Sequence, residues 1–236
     1  MFSNGSLIHT KGVTLSGNLY SYSNANNISS WTTASDMRAY SYDALDRLTG
    51  ASNFEMPTEN YSYDSVGNRT ASHLSASYGY QPFNKLTSTA NATYTYDNNG
   101  NVISKTDASG TTTFAYDEEN RLKQVTLPVG LNVNYTYDGL GRRIQRTTSS
   151  GANERYVYDG QDVLLDLNAD WSVATTYLSG RGIDNHLRQT SSATGVSYFL
   201  SDHLGSTSAL TDGSGNLLEQ SAYDSFGNSS GSARTR

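Results

Sequence analysis

The sequence predicts an all-β chain built from tandem β-hairpin repeats of about twenty residues in one antiparallel sheet. Three observations carry this. Tyr-Asp recurs at nearly even intervals, aromatic residues stand two apart at the end of the strand before it, and Gly, Asn or Asp follows three residues after the Asp. No segment holds a 3.6-residue apolar period over a dozen residues, and the nearest, residues 161–169, reads as a buried strand.

The pairs are Tyr42-Asp43, Tyr63-Asp64, Tyr96-Asp97, Tyr116-Asp117, Tyr137-Asp138, Tyr158-Asp159 and Tyr223-Asp224. Copies that keep only the aromatic stand at Tyr22, Tyr80, Tyr177 and Tyr198. Successive copies lie 16 to 25 residues apart, most of them 19 to 21.

Each unit opens with a strand ending in two aromatics: Tyr61/Tyr63, Tyr94/Tyr96, Phe114/Tyr116, Tyr135/Tyr137 and Tyr156/Tyr158. Strand side chains alternate faces, so both rings of a pair share one face, and units in register predict a ladder of stacked rings there. The residues between are mostly small: Ser62, Thr95, Ala115, Thr136 and Val157. The Asp opens a turn, accepting backbone N–H groups, and a residue tolerant of positive φ ends it. That residue is Gly100 and Gly141 in two units, with Asp46, Asn120 and Asp162 assigned the same place in others. Arg or an aliphatic then starts the return strand, as in Arg47-Leu48, Arg121-Leu122 and Arg142-Arg143-Ile144. A second turn, such as Asp107-Ala108-Ser109-Gly110 or Ser149-Ser150-Gly151, completes the unit.

Composition bounds the function classes. Leu, Ile, Val and Phe make up about 18% of the 236 residues, a level at which disorder becomes a fair suspicion. Eighteen Tyr and a modest net charge of −6 argue for a folded chain instead. With no Cys there is no disulfide framework, thiolate metal site or Cys nucleophile. Only 16 Lys and Arg against 22 Asp and Glu disfavour a nucleic-acid partner. No apolar run approaches the ~20 residues of a membrane span, and residues 1–12 lack the pattern of a signal peptide, so the chain is expected to be a segment of a longer protein. Its expected organisation is a lead-in region at 1–19, the repeat array at 20–176, a variant region of the same sheet at 177–228 and a tail at 229–236.

Candidate chemistry is sparse. His203 beside Asp202 could make a general base, but neighbours on a strand face opposite ways, and the pair reads better as a turn bonded to backbone. His9, His73 and His186 share no metal-ligand spacing, and no cofactor is expected. Asp97-Asn98-Asn99-Gly100-Asn101 has the oxygen density for calcium without the spaced carboxylates and terminal Glu of a binding loop. Exposed Tyr with Asn, Asp and Arg nearby could instead hold a glycan, which keeps a binding module open as an alternative; a polysaccharide-degrading enzyme is a more distant one.

Units such as Tyr42-Asp43-Ala44-Leu45-Asp46-Arg47-Leu48 and Tyr96-Asp97-Asn98-Asn99-Gly100-Asn101-Val102-Ile103 resemble the YD repeats of RHS and teneurin-type proteins. The resemblance covers nearly all of residues 20–228. Tyr198-Phe199-Leu200-Ser201-Asp202-His203-Leu204-Gly205-Ser206, with Tyr223-Asp224-Ser225-Phe226-Gly227-Asn228, resembles the start of the RHS-associated core. This implies a curved, spiralling sheet that forms a segment of a hollow shell, catalyses nothing itself, and in secreted or surface-delivered bacterial members encloses a C-terminal toxin domain. The family's continuation past the core motif, with its self-cleavage site and variable toxin, has no counterpart in these residues, and an arc of this length is expected to self-associate through open sheet edges.

Overall fold

The computed structural model describes residues 7–10, 13–17, 19–32, 37–52, 56–182, 185–202 and 204–230. The chain divides into two units, residues 1–78 with 219–236, and residues 79–218.

In the first unit, β1 (Leu7–Thr10) pairs with β2 (Val13–Gly17). A six-stranded antiparallel sheet follows in chain order: β3 (Leu19–Tyr22), β4 (Ile28–Thr32), β5 (Met37–Tyr42), β6 (Leu48–Ser52), β7 (Glu59–Tyr63) and β8 (Arg69–Ser72).

The second unit is a fifteen-stranded antiparallel sheet whose neighbours are also chain neighbours. It starts with β9 (Tyr78–Gln81), a 3-10 turn (Pro82–Asn84), β10 (Lys85–Thr89), β11 (Ala92–Tyr96) and β12 (Val102–Asp107). It continues through β13 (Gly110–Tyr116), β14 (Leu122–Thr126), β15 (Asn132–Tyr137), β16 (Arg143–Thr148), β17 (Asn153–Asp159) and β18 (Asp162–Leu167). It ends with β19 (Val173–Ser179), β20 (His186–Ser191), β21 (Gly195–Ser201), β22 (Thr207–Thr211) and β23 (Leu217–Gln220). A last hairpin, β24 (Ala222–Tyr223) with β25 (Ser229–Ser230), groups with the first unit.

The all-β hairpin array is thus observed, with two departures. The strands form two large sheets rather than one: β8 and β9 are edges, because Ser72 and Ser75 bond to each other through N···O distances of 2.7 and 3.2 Å and close the chain on itself there. The variant region stays in the sheet through β23, and only its last hairpin leaves it. β24 and β25 pair only with each other, so Tyr223 and Asp224 lie outside the fifteen-stranded ladder. Residues 162–167 do form a strand, with only Leu167 of it buried.

Alternation follows the pleat. In β11, Tyr94 and Tyr96 are partly covered and Ala92 is buried, while Thr93 and Thr95 face solvent. Both aromatics of a pair therefore do share the covered face. Buried apolar side chains are few and spread along the array, among them Ala51, Ala92, Val133, Tyr156, Leu167 and Leu210. That distribution fits stability carried from neighbour to neighbour rather than by one centre.

A register shift recurs at the same place in seven of the repeats. In β11–β12, Thr95 faces Ser104 but Tyr96 faces Val102, so Ile103 is an extra residue on the return strand. The same step falls just before Tyr22, Tyr42, Tyr63, Tyr116, Tyr137 and Tyr158. Each is a β-bulge, which interrupts the ladder locally.

Candidate functional site

The repeated site is the turn and the side chains that lock it. At Asp138, the backbone N–H donates to Arg142 O at 2.9 Å and Gly141 N–H donates back to Asp138 O at 3.1 Å. The Asp138 carboxylate Oδ1 accepts the N–H groups of Leu140 and Arg142, both at 2.9 Å. The same backbone pair recurs at Asp43, Asp64, Asp97, Asp117, Asp202, Asp212 and Asp224. The fourth residue must turn left-handed: φ is 58° at Asp46, 59° at Asn120, 80° at Gly141 and 93° at Gly67. Gly accepts this without cost, and Asn and Asp with little.

Asp159 is the exception. It ends β17 and pairs directly with Asp162 across a two-residue turn, Gly160-Gln161. The left-handed residue there is Gly160, at φ 62°, not Asp162. The place assigned to Asp162 is thereby corrected: the shorter loop leaves no fourth turn residue.

The tyrosine that precedes each of Asp43, Asp64, Asp97, Asp117, Asp138 and Asp159 clamps the repeat before it. Tyr137 Oη donates to Leu122 O at 2.8 Å, and Leu122 is the residue facing Tyr116 across the preceding bulge. Tyr116 donates likewise to Val102 O, Tyr158 to Arg143 O, Tyr63 to Leu48 O and Tyr42 to Ile28 O, all within 2.7–3.0 Å. Tyr96 donates to Leu86 O at 2.6 Å. A carbonyl displaced by the bulge needs a donor, and the next tyrosine supplies it. Desolvation raises the phenol pKa at each of these positions, so the hydroxyl stays protonated and donating.

Cations lie over the rings. The guanidinium carbon of Arg121 lies 5.1 Å from the centre of the Tyr137 ring, that of Arg142 lies 5.0 Å from Tyr158, and that of Arg47 lies 4.8 Å from Tyr63. Lys85 sits 5.6 Å from Tyr96. The expected stacked ladder is corrected accordingly: the rings share a face, but Arg or Lys lies over them, and Arg143 sits 5.4 Å from the Tyr135 ring centre and 5.1 Å from that of Tyr156. Strands ~4.8 Å apart place rings of successive units two strands apart, too far to touch.

The same arginines staple one turn to the next. Arg142 Nε donates to Asp138 Oδ2 at 2.7 Å while its NH1 reaches Gly160 O in the following turn. Arg47 makes the matching pair with Asp43 Oδ2 at 2.7 Å and Asp64 O at 2.8 Å. Where Asn replaces Arg, Asn101 Nδ2 bonds Asp97 Oδ2 at 2.9 Å and Asn120 Oδ1 at 2.8 Å. In the sequence these residues mark only the start of the return strand. Their constant place, four after the Asp, was the available signal.

A match to the teneurin YD-shell family spans residues 11–233. The chain belongs to the teneurin YD-shell family. No curated protein matches it. Among solved structures, the YD-shell chain is similar to one titled TcdB2-TccC3-Cdc42, with 12% identity, a TM-score of 0.46, and coverage of 95% of this chain and 19% of that one. A Photorhabdus luminescens Tc holotoxin pore shows 17% identity and a TM-score of 0.41 over 96% of this chain and 16% of that one. TcdB2-TccC3 without its hypervariable C-terminal region shows 12% identity and a TM-score of 0.45, covering 91% and 18%. The YD-shell chain spans under a fifth of the length of each of these chains. Family membership rests on the match over 11–233 and not on these structures.

The charges of the YD-shell turns are set locally. At Asp97 the Asn101 amide, at Asp117 the Arg121 backbone N–H, and at Asp212 the Asn216 amide lead in holding the carboxyl below its ordinary pKa. At Asp43 and Asp138 desolvation pushes upward most strongly of any single influence, yet the bonds from Arg47 and Leu45, or from Arg142 and Leu140, with the arginine charge, together outweigh it. The core motif builds a turn of the same kind. Ser201 ends β21, Asp202 Oδ1 accepts Leu204 N–H at 2.8 Å and Ser206 N–H at 2.9 Å, and Gly205 turns at φ 84°. His203 lies outside the described residues. Among the described residues no three His, Asp or Glu side chains gather to hold a metal, and no helix is long and apolar enough to cross a membrane.

Proposed function

We propose that this chain is a structural wall segment of a YD shell, in a secreted or cell-surface bacterial protein, that encloses or presents a C-terminal toxin or effector domain and catalyses nothing itself. The supporting observation is the lock. Turn, tyrosine clamp and Arg or Asn staple repeat from unit to unit, spending the polar side chains on neighbouring repeats. Such an array extends by adding units, and a wide wall needs that property. The fifteen-stranded sheet is open, with β9 and β23 at its edges. Those edges suit further strands of the same wall, or a second copy of this chain.

The test uses the complete natural protein. Limited proteolysis is followed at the segment downstream of residue 236, with the wall intact and with the wall loosened by Tyr137→Ala and Tyr158→Ala together. Enclosure predicts slow cleavage of the downstream segment in the intact protein and fast cleavage in the loosened one. Equal rates in both would refute it.

The glycan reading is not carried further, because cations occupy a face of the Tyr63, Tyr96, Tyr137 and Tyr158 rings on which a sugar would stack.

A further inference from the structure

The last hairpin is held on the first unit in a way that strand pairing does not explain. β24 and β25 share no ladder with the six-stranded sheet, and the bonds seen among the described residues use side chains of the sheet. On the sheet, β5, β7 and β8 supply Arg38, Glu59, Tyr61, Arg69 and, just past β8, His73. Arg38 NH1 donates to Tyr223 O at 2.9 Å. Glu59 Oε2 accepts Ser225 N–H at 3.0 Å and Tyr61 Oη–H at 2.7 Å. His73 Nε2 lies 3.4 Å from Asp224 Oδ2. Phe226 is gripped from two sides: the Tyr61 ring meets it edge-on at 4.8 Å, and the Arg69 guanidinium lies 4.5 Å from its centre.

Three of the charged groups are buried, and Asp224 is the one buried turn Asp among the described residues, whereas Phe226 itself stays 49% exposed. Glu59 is 2% exposed, Asp224 6% and Arg38 8%. Charges withdrawn from water that far are tolerated only with partners, and the hairpin provides several of them. The occupant is also singular in sequence. The second residue after the turn Asp is Leu45, Val66, Asn99, Glu119, Leu140, Leu204 or Ser214 in the other turns, and only Phe226 is aromatic.

From this geometry we infer a recognition groove on β5, β7 and β8 that fits one class of ligand, a tight Asp-x-aromatic-Gly-Asn turn, filled here in cis by residues 224–228. Phe226 is the specificity element, and Glu59 and Arg38 read the turn's backbone. The hairpin is therefore a clasp, able to open without unpairing any strand of either sheet. The inference stands apart from whether the wall encloses cargo, since it concerns only how this turn is held.

Hydrogen exchange on the full chain, read by mass spectrometry, tests it. Phe226→Ala is expected to speed exchange over residues 222–230 about tenfold, and at the amides of 59–63 beneath, while residues 132–148 exchange as before. Phe226→Tyr keeps a ring of the same shape and restores protection. Glu59→Leu, which removes the acceptor for Ser225, opens the same region. Unchanged exchange over 222–230 in Phe226→Ala overturns the groove. So does failure of Phe226→Tyr to restore protection, and so does acceleration spread equally over 132–148, which marks general unfolding.

Discussion

Replacing Tyr137 tests the lock, because the structure separates the tyrosine's two contributions. Tyr137→Phe removes only the hydroxyl that donates to Leu122 O at 2.8 Å. Depriving a half-buried carbonyl of its donor costs about 1 kcal/mol, or about 3 °C in thermal midpoint for a unit of this size. Tyr137→Ala also removes the ring beside the Arg121 guanidinium, 5.1 Å from its centre. The cation–ring attraction is about 0.5–1 kcal/mol, and burial of roughly 80 Å² of ring adds about 2 kcal/mol. The total of about 3.5–4 kcal/mol predicts a fall of about 11 °C. Differential scanning calorimetry of wild type, Tyr137→Phe and Tyr137→Ala gives both steps. A Tyr137→Ala midpoint within about 1 °C of wild type would refute the clamp, and equal falls for the two variants would show that the ring contributes nothing.

Further predictions follow from the turn. Gly141→Ala meets no atom within 4 Å of the added methyl but must hold φ 80°, so it should lose about 1 kcal/mol by urea titration, whereas Gly139→Ala, equally unobstructed and without a positive φ, should be neutral. Arg142→Lys keeps the charge and loses the fork that joins Asp138 to Gly160 O, so it should lower stability by about 0.5–1 kcal/mol, an amount that shrinks as salt rises. The turn carboxyls at Asp97, Asp117 and Asp212 have folded pKa values below their unfolded ones, so what they contribute is complete above the ordinary carboxylate range and is lost as pH falls through the folded values. Thermal midpoints should be flat from about pH 7 to 5 and decline below about pH 4; a midpoint unchanged at about pH 2 would contradict this.

The repeat itself was legible because its signals are local. A Tyr-Asp pair, a period of two and a left-handed residue three positions on are properties of one strand and one turn. The rings' actual neighbours were not legible, because they depend on the bulge. No composition rule places an extra residue at Ile103, and that bulge creates the displaced carbonyls which the tyrosines serve. Asp159 misled because loop length, not residue identity, decides whether a fourth turn residue exists. The clasp was illegible for a different reason: Glu59 and Ser225 are 166 positions apart, and nothing in a twenty-residue period relates them.

Every clamp reaches backward, over 10 to 15 positions, to a carbonyl already laid down. A ribosome delivering this chain from its first residue thus presents each newcomer with a finished acceptor, so ordering can keep pace with synthesis instead of waiting for a distant terminus. Gene duplication inherits the same freedom: an inserted unit finds its socket in whichever predecessor it lands behind, and offers one to its successor.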